Sequence, residues 1–222
     1  MERTQSSGGI SRILVVDDHP LVRQGLRLLI DQQPGLAVAA EAGDAPQALA
    51  EIARTRPDLA IVDINLRGAD GLELTKVIRR RFPRTAVLVL SMYDEAIYAE
   101  RALKAGARGY IMKREANERL LCAIARVLQG KIYLDDSYSN LLLERIVGRG
   151  RASTATLLVE KLTDRELEVL RLIGQGKKNQ EIARQLALSG KTIQAYKENI
   201  KKKLNLASAA ALANYAINWL KN

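Results

Sequence analysis

A single cysteine, Cys122, and a single histidine, His19, are all that this chain of 222 residues offers to soft-metal or thiol chemistry. One cysteine excludes an internal disulfide and fits a reducing compartment. Set in the apolar run at 120–125, Cys122 is expected to be packed away rather than reactive. The same scarcity nearly rules out a zinc site or a Cys/His catalytic pair. Long hydrophobic runs are missing too. No apolar stretch approaches the ~20 residues of a membrane span, and the polar stretch at 1–11 has no signal-peptide core. Both point to a cytoplasmic protein without membrane contact. A phosphate-cradling P-loop is also lacking, since Gly8-Gly9 precede the first strand-like run.

What the chain does have is apolar residues, at 47%, and positive charge, with 35 Lys/Arg against 25 Asp/Glu. The length suits one large domain or two small ones. The charge is unevenly placed. Residues 148–222 hold 14 Lys/Arg and 6 Asp/Glu, a net +8, which leaves +2 for residues 1–147. A small C-terminal piece carrying most of the excess is an electrostatic footprint of nucleic-acid binding. An acidic protein partner or a membrane surface would suit the same charge.

Residues 1–130 alternate two periodicities. Strand-like runs fall near 12–16, 37–41, 58–62, 86–90 and 109–112, with helix-like segments near 20–33, 45–55, 71–81, 94–105 and 116–129. Five βα units predict an α/β fold, a doubly wound five-stranded parallel sheet with helices on both faces. Residues 131–158 read as a connection, with a short helix at 137–147 and a flexible linker at 148–156. From 159 to 222 every periodic segment is helical, which predicts a second, small all-α domain. Thr163 and Glu166 form a capping box opening a helix with Leu167, Leu170 and Ile173 inward, stopped by Gly174 and Gly176. Asn179 is expected to cap a second helix. Ser189 opens a third that runs to about 205, and a fourth covers roughly 208–220. The tight turn at 186–189 before a basic helix makes a helix-turn-helix pattern. Ile193, Tyr196, Ile200 and Leu204 form the expected buried stripe of that third helix.

Four of the strand-like runs end in polar residues: Asp17-Asp18, Asp63, Ser91 and Lys113. Parallel strands place ligands beyond their carboxyl ends, so three carboxylates, a hydroxyl and an amine converge at one sheet edge. Two carboxylates about 5 Å apart repel by roughly 3 kcal/mol at an effective dielectric near 20. A bound cation or Lys113 must offset that. Hard oxygen ligands and phosphate chemistry favour Mg²⁺ over Ca²⁺. Taken singly, each residue is also compatible with merely ending its strand.

In this order and spacing, the motifs resemble bacterial two-component response regulators of the NarL/FixJ type, with a receiver domain and a LuxR-type helix-turn-helix. The resemblance rests on ILVVDDHP at 13–20, PDLAIVDIN at 57–65, Leu90-Ser91 and GARGYIMK at 106–113. In the C-terminal part it rests on LTDRELEVL at 162–170, NQEIA at 179–183, LSGKTI at 188–193, Asn199-Ile200 and Lys203-Leu204. It implies a flavodoxin-like receiver domain over 1–130, a linker with a short helix over 131–158 and a DNA-binding domain over 159–222. The implied function is a phosphorylation-regulated transcription factor rather than an enzyme. Asp63 becomes the phosphoacceptor, served by a histidine of a cognate sensor kinase. Asp18, Asp63 and the carbonyl of Asn65 would ligate Mg²⁺, and Asp17 would act through water. Lys113 would neutralise the transferring oxygens. Ser91 would be drawn to the phosphoryl group, and Tyr110 would swing inward behind it. His19 is expected at the rim without a ligand role. Arg114 replaces a proline common in receivers, so no cis peptide is expected there.

The same resemblance sends the third helix of the C-terminal domain into the major groove of double-stranded promoter DNA. Lys191, Lys197, Lys201 and Lys202 would hold phosphates, with Thr192 in the contact set. Gln194 can pair with adenine, Ala195 can meet a thymine methyl and Glu198 can accept from a cytosine amino group. Gln194 and Tyr196 replace a frequent lysine and histidine, and Glu198 puts a negative charge on the reading face. These departures leave the recognised sequence open. The fourth helix, with Ala211, Leu212, Tyr215, Ala216 and Trp219, would pair two copies into a homodimer on DNA, or else cap its own domain's core. RNA polymerase is a further expected partner. Two rivals remain: a DNA-binding regulator run by a protein partner at the first domain without phosphorylation, and a Mg²⁺-dependent phosphatase or nucleotide enzyme. The second lacks a separate general acid and a substrate pocket.

Overall fold

The apolar runs become five parallel strands: β1 (Ser11–Val16), β2 (Leu36–Ala42), β3 (Leu59–Asp63), β4 (Ala86–Ser91) and β5 (Gly109–Met112). The computed structural model describes residues 9–66, 69–92, 95–136, 138–140, 159, 161–186 and 188–221. The linker expected at 148–156 lies outside these residues, as does most of the helix expected at 137–147. In space the strands run β2-β1-β3-β4-β5, so the winding reverses beside β1. A ligand crevice is expected outside the carboxyl ends of β1 and β3, where the order switches.

The helices α1 (Pro20–Asp31), α2 (Ala45–Thr55), α3 (Gly71–Arg81), α4 (Glu95–Ala105) and α5 (Ala116–Leu128) alternate with the strands. Local chemistry starts several of them. Pro20 takes the first turn of α1, where its missing N–H costs nothing. The side chains of Asp44 and Asp70 accept from the backbone N–H of Gln47 and Leu72, each at 2.8 Å. One face of the sheet, with Ile13, Val15, Ile61, Leu88 and Ile111, packs against Leu26 and Ile30 of α1 and Leu120, Ile124 and Val127 of α5. The alternate residues Leu14, Val16, Ala60, Val62, Val87 and Val89 are also buried. Both faces are thus covered, as a parallel sheet requires.

Cys122 is exposed, which corrects the expectation of burial. The buried positions of α5 are Ala116, Leu120, Ala123, Ile124 and Val127, and at 3.6 residues per turn residue 122 faces outward. Apolar neighbours in sequence do not make a helical position internal.

The chain divides into two compact units, Met1–Asn140 and Leu141–Asn222. The first unit runs ten residues past the boundary that strand–helix alternation suggests at 130. The reason is local: after α5, Tyr133 bridges in parallel to Gly109 of β5. Tyr133 N–H donates to the Arg108 carbonyl at 2.9 Å, and Tyr110 N–H donates to the Tyr133 carbonyl at 3.1 Å.

In the second unit the described helices are α6 (Asp164–Gly174), α7 (Asn179–Gln185), α8 (Gly190–Leu204) and α9 (Ala209–Lys221). Leu167, Leu170, Ile182, Ile193, Ile200, Leu212 and Ala216 make its core. The capping box forms as expected, with Thr163 and Glu166 exchanging hydrogen bonds. A side chain at Gly174 would approach the Ala216 carbonyl oxygen to 2.5 Å, so α6 and α9 meet almost backbone to backbone there. Two expectations shift. The residue capping α7 is Lys178, whose N–H donates to Glu181 at 2.7 Å, and Asn179 is the first helical residue. Tyr196 is half-buried, leaving Ile193, Ile200 and Leu204 as the fully internal stripe of α8.

Candidate functional site

Strand register sets the acidic pocket. Val16 pairs with Val62, so the next residues, Asp17 and Asp63, stand level beyond β1 and at the end of β3. Asp63 in turn pairs with Leu90, and Ser91 pairs with Met112. Four neighbouring strands therefore deliver Asp17, Asp63, Ser91 and Lys113 to one rim. The Lys113 Nζ lies 2.6 Å from Asp17 Oδ2 and 2.7 Å from Asp63 Oδ2. Asp17 is 1% exposed and Asp63 3%. The Asn65 N–H donates to Asp63 Oδ1 at 3.2 Å. Gly71 closes the loop below: its N–H donates to the Ile64 carbonyl at 2.8 Å, and any side chain on it would run into the Asp63 carbonyl oxygen.

One ammonium facing two buried carboxylates leaves negative charge in excess. Burial, with the Asp17 charge adding to it, pushes the Asp63 carboxyl up to about 6 despite the attraction of Lys113. Burial pulls on Lys113 in the opposite sense. Asp63 and Asp17 outweigh that pull and hold its amine above the ordinary value. The cation is over-supplied with partners and the carboxylates share one.

The donor set fits a hard divalent cation. One carboxylate oxygen from each of Asp17, Asp18 and Asp63 and one ring nitrogen of His19 lie within 4.8 Å of one another. A cation there would relieve the charge that Lys113 leaves uncompensated. Ser91 is buried at the end of β4. Tyr110 is fully buried. The Lys113–Arg114 peptide is trans, and 113–115 turn directly into α5.

Two neighbours of the pocket stand apart from the sequence expectation, one in its placement and one unmentioned by it. His19 stands closer than a rim position suggests, its Nδ1 3.2 Å from Asp17 Oδ1 and 2.7 Å from Asp18 Oδ1. Arg23 donates from Nη1 to the Asp17 carbonyl at 2.6 Å and pairs with Glu41 at 3.2 Å. Nothing in the sequence marks Arg23 beyond its place in the first turn of α1.

The second unit carries a basic surface on α8. Lys191, Gln194, Ala195 and Lys202 are exposed, while Thr192, Lys197, Glu198 and Lys201 are half-buried. The Thr192 N–H donates to Ser189 Oγ at 3.0 Å, capping the helix. Lys201 pairs with Glu198 at 2.9 Å, and that hydrogen bond holds the Glu198 carboxyl below the usual range. Gln194 Nε2 donates to the other Glu198 oxygen at 3.1 Å. Asn179 of α7 reaches across: its Nδ2 donates to Gln194 Oε1 at 3.3 Å, and its Oδ1 accepts from Lys197 at 3.0 Å. Sequence reasoning assigned Asn179 only a cap. Lys203, exposed on the same helix, pairs with the buried Glu166 at 2.6 Å. On α9, Leu212 and Ala216 are buried, Tyr215 and Trp219 are half-buried, and Ile217 and Leu220 are exposed. Among the described residues no helix is long and apolar enough to cross a membrane.

Comparison with known proteins agrees with both halves. Residues 13–125 match the response regulator receiver domain, and residues 160–216 match the bacterial regulatory proteins of the luxR family. The chain is similar to the oxygen regulatory protein NreC of Staphylococcus epidermidis, 37% identical over 210 residues, 93% of this chain and 96% of that one. Among solved structures it is similar to RcsB from Salmonella enterica serovar Typhimurium bound to promoter rprA in the presence of the phosphomimetic BeF3-. That match has 29% identity and a TM-score of 0.61, covering 94% of this chain and 98% of that one. A further match, at 30% identity and TM-score 0.57 over 93% and 98% of the two chains, shows two RcsB dimers bound to two parallel DNAs.

Proposed function

The chain belongs to the response regulators that join a receiver domain to a LuxR-type DNA-binding domain, and from that membership we propose which of its residues carry the work. Response regulators of this kind are phosphorylation-regulated DNA-binding transcription regulators, not an enzyme class. Asp63 is the phosphoacceptor. The observation that carries this is its buried carboxylate at the end of β3, held 2.7 Å from the Lys113 ammonium it shares with Asp17. An Asp63 oxygen attacks the phosphorus of a phosphohistidine on a partner kinase. A P–O bond forms, the P–N bond breaks, and the imidazole keeps the bonding pair and takes a proton. With its carboxyl at about 6, Asp63 is mostly ionised at neutral pH and able to attack. Lys113 meets the charge on the transferring oxygens, and its two short contacts hold it in place before transfer.

Asp18, Asp63 and the Asn65 carbonyl would hold Mg²⁺, with Asp17 acting through water. When bound, the ion supplies charge neutralisation at the phosphoryl oxygens. Ser91 hydrogen-bonds the new phosphoryl group, and Tyr110 is the packing partner that follows it. Phosphorylation turns a carboxylate of charge −1 into an acyl phosphate of about −2; this changes the surface near β4 and β5, and that change alters promoter binding. Lys191, Thr192, Lys197, Lys201 and Lys202 hold the DNA backbone; Gln194, Ala195 and Glu198 face base edges. A homodimer on DNA, a cognate sensor kinase and RNA polymerase complete the assembly.

The assay is transfer of labelled phosphoryl from a small donor or a kinase to wild type and Asp63→Asn, with promoter binding measured beside it. Label on wild type alone, with changed DNA affinity, is the expected result. Equal labelling of both proteins overturns the acceptor. Full labelling with unchanged affinity overturns the switch and favours control by a protein partner.

A further inference from the structure

A glutamine can read a base edge in two opposite senses, because rotating its amide by half a turn exchanges donor and acceptor. We propose that Asn179, on α7, is a positioning residue that fixes the sense in which Gln194, on α8, reads DNA, and so selects adenine at one position of the site. The proposal rests on the assignment of α8 as the DNA-reading helix.

The warrant is a directed chain of hydrogen bonds. It begins at Lys197, whose ammonium can only donate. Lys197 Nζ lies 3.0 Å from Asn179 Oδ1, so the Asn179 oxygen must face it and the Asn179 Nδ2 must point away. That Nδ2 donates to Gln194 Oε1 at 3.3 Å. Gln194 Nε2 then donates at 3.1 Å to Glu198, whose ionised carboxylate can only accept. A pure donor at one end and a pure acceptor at the other leave each amide between them one consistent orientation. Turning Gln194 over would set its oxygen against the Glu198 carboxylate and its N–H₂ against that of Asn179, so both contacts would become repulsive.

Each pinned amide keeps half of its capacity. An amide has two N–H bonds and an oxygen with two lone pairs. Gln194 spends one of each inside the chain. One N–H and one lone pair remain, the combination that N7 and N6–H₂ of adenine require. Guanine presents two acceptors, O6 and N7, and would leave the Gln194 oxygen facing O6 unpaired.

The test is selection of binding sites from a randomised duplex library with the full-length protein. Gln194→Ala locates the position that Gln194 reads. Asn179→Ala is expected to relax that same position, lowering the preference for adenine by about 5-fold, with other positions and the salt dependence unchanged. Asn179→Asp sets an acceptor on both sides of the Gln194 amide, so neither sense is favoured; it should abolish the preference while still pairing with Lys197. An unshifted Trp219 fluorescence transition in urea shows that each variant is folded. The proposal is overturned if Asn179→Ala keeps the Gln194-dependent preference, or if it weakens every site equally. It is also overturned if Gln194→Ala matches wild type. A wild-type protein that selects no sequence overturns the DNA-reading assignment with it.

Discussion

Replacing the phosphoacceptor candidate should make the metal-free protein more stable. Asp63→Asn keeps the shape of the side chain and removes a charge that burial and Asp17 oppose. The carboxyl stands at about 6 against an ordinary 3.8. At about 1.4 kcal/mol per pH unit, its ionised form costs the folded chain about 3 kcal/mol. Between pH 3.8 and 6 the folded state holds more protons than the unfolded one, so stability falls as pH rises through that window. The destabilisation is complete above pH 6 and absent below 3.8. Asp63→Asn should therefore gain up to about 3 kcal/mol at pH 7.5 and roughly half of that at pH 5. Urea titration in a chelator, followed by far-UV circular dichroism, measures the gain. Trp219, the only tryptophan, lies in the second unit, so its fluorescence transition should stay in place and serve as an internal control. Saturating Mg²⁺ should narrow the gap by stabilising wild type alone. A variant no more stable than wild type at pH 7.5 without metal would show that Lys113 already balances the pocket, and the reasoning would fail.

Lys113→Met removes the ammonium shared by Asp17 and Asp63 and should destabilise the metal-free first unit by about 3–5 kcal/mol. In the same variant the Asp63 titration, followed by NMR, should move above 6. Glu166→Ala strips the α6 cap and the Lys203 contact and should cost the second unit about 1–2 kcal/mol in the Trp219 urea transition. The Glu166 carboxyl lies below its ordinary 4.5, chiefly through its hydrogen bond to Lys203 working against burial. Its contribution is thus present above pH 4.5 and lost as pH falls through the lowered value. Lys201→Ala should reduce the slope of log affinity against log salt by about 0.9 with little change in sequence preference; an altered preference with an unaltered slope would mean that Lys201 contacts bases.

The pocket was legible in sequence because parallel strands make a one-dimensional code. Short apolar runs that alternate with helix-length segments read as internal strands, and the residue after each then emerges at the same rim. Asp17, Asp63 and Lys113 needed nothing more. Helical phase was harder to read where a run is apolar on several sides, and Cys122 shows the consequence. The contacts of Asn179 were out of reach for another reason. Its partners lie 15 and 18 residues away on a different helix, and no local spacing encodes that meeting. The pairing of Tyr133 with β5 was hidden likewise, because a single bridging residue leaves no periodicity.

That pairing bears on how the first unit can be handled in isolation. A parallel sheet ends in rows of bare amide and carbonyl groups ready to recruit a strand from another molecule. Here the polypeptide covers part of one such row itself, through two main-chain hydrogen bonds made by Tyr133. A fragment cut at residue 130 would strip that cover and invite self-association, whereas one ending at Asn140 would keep it.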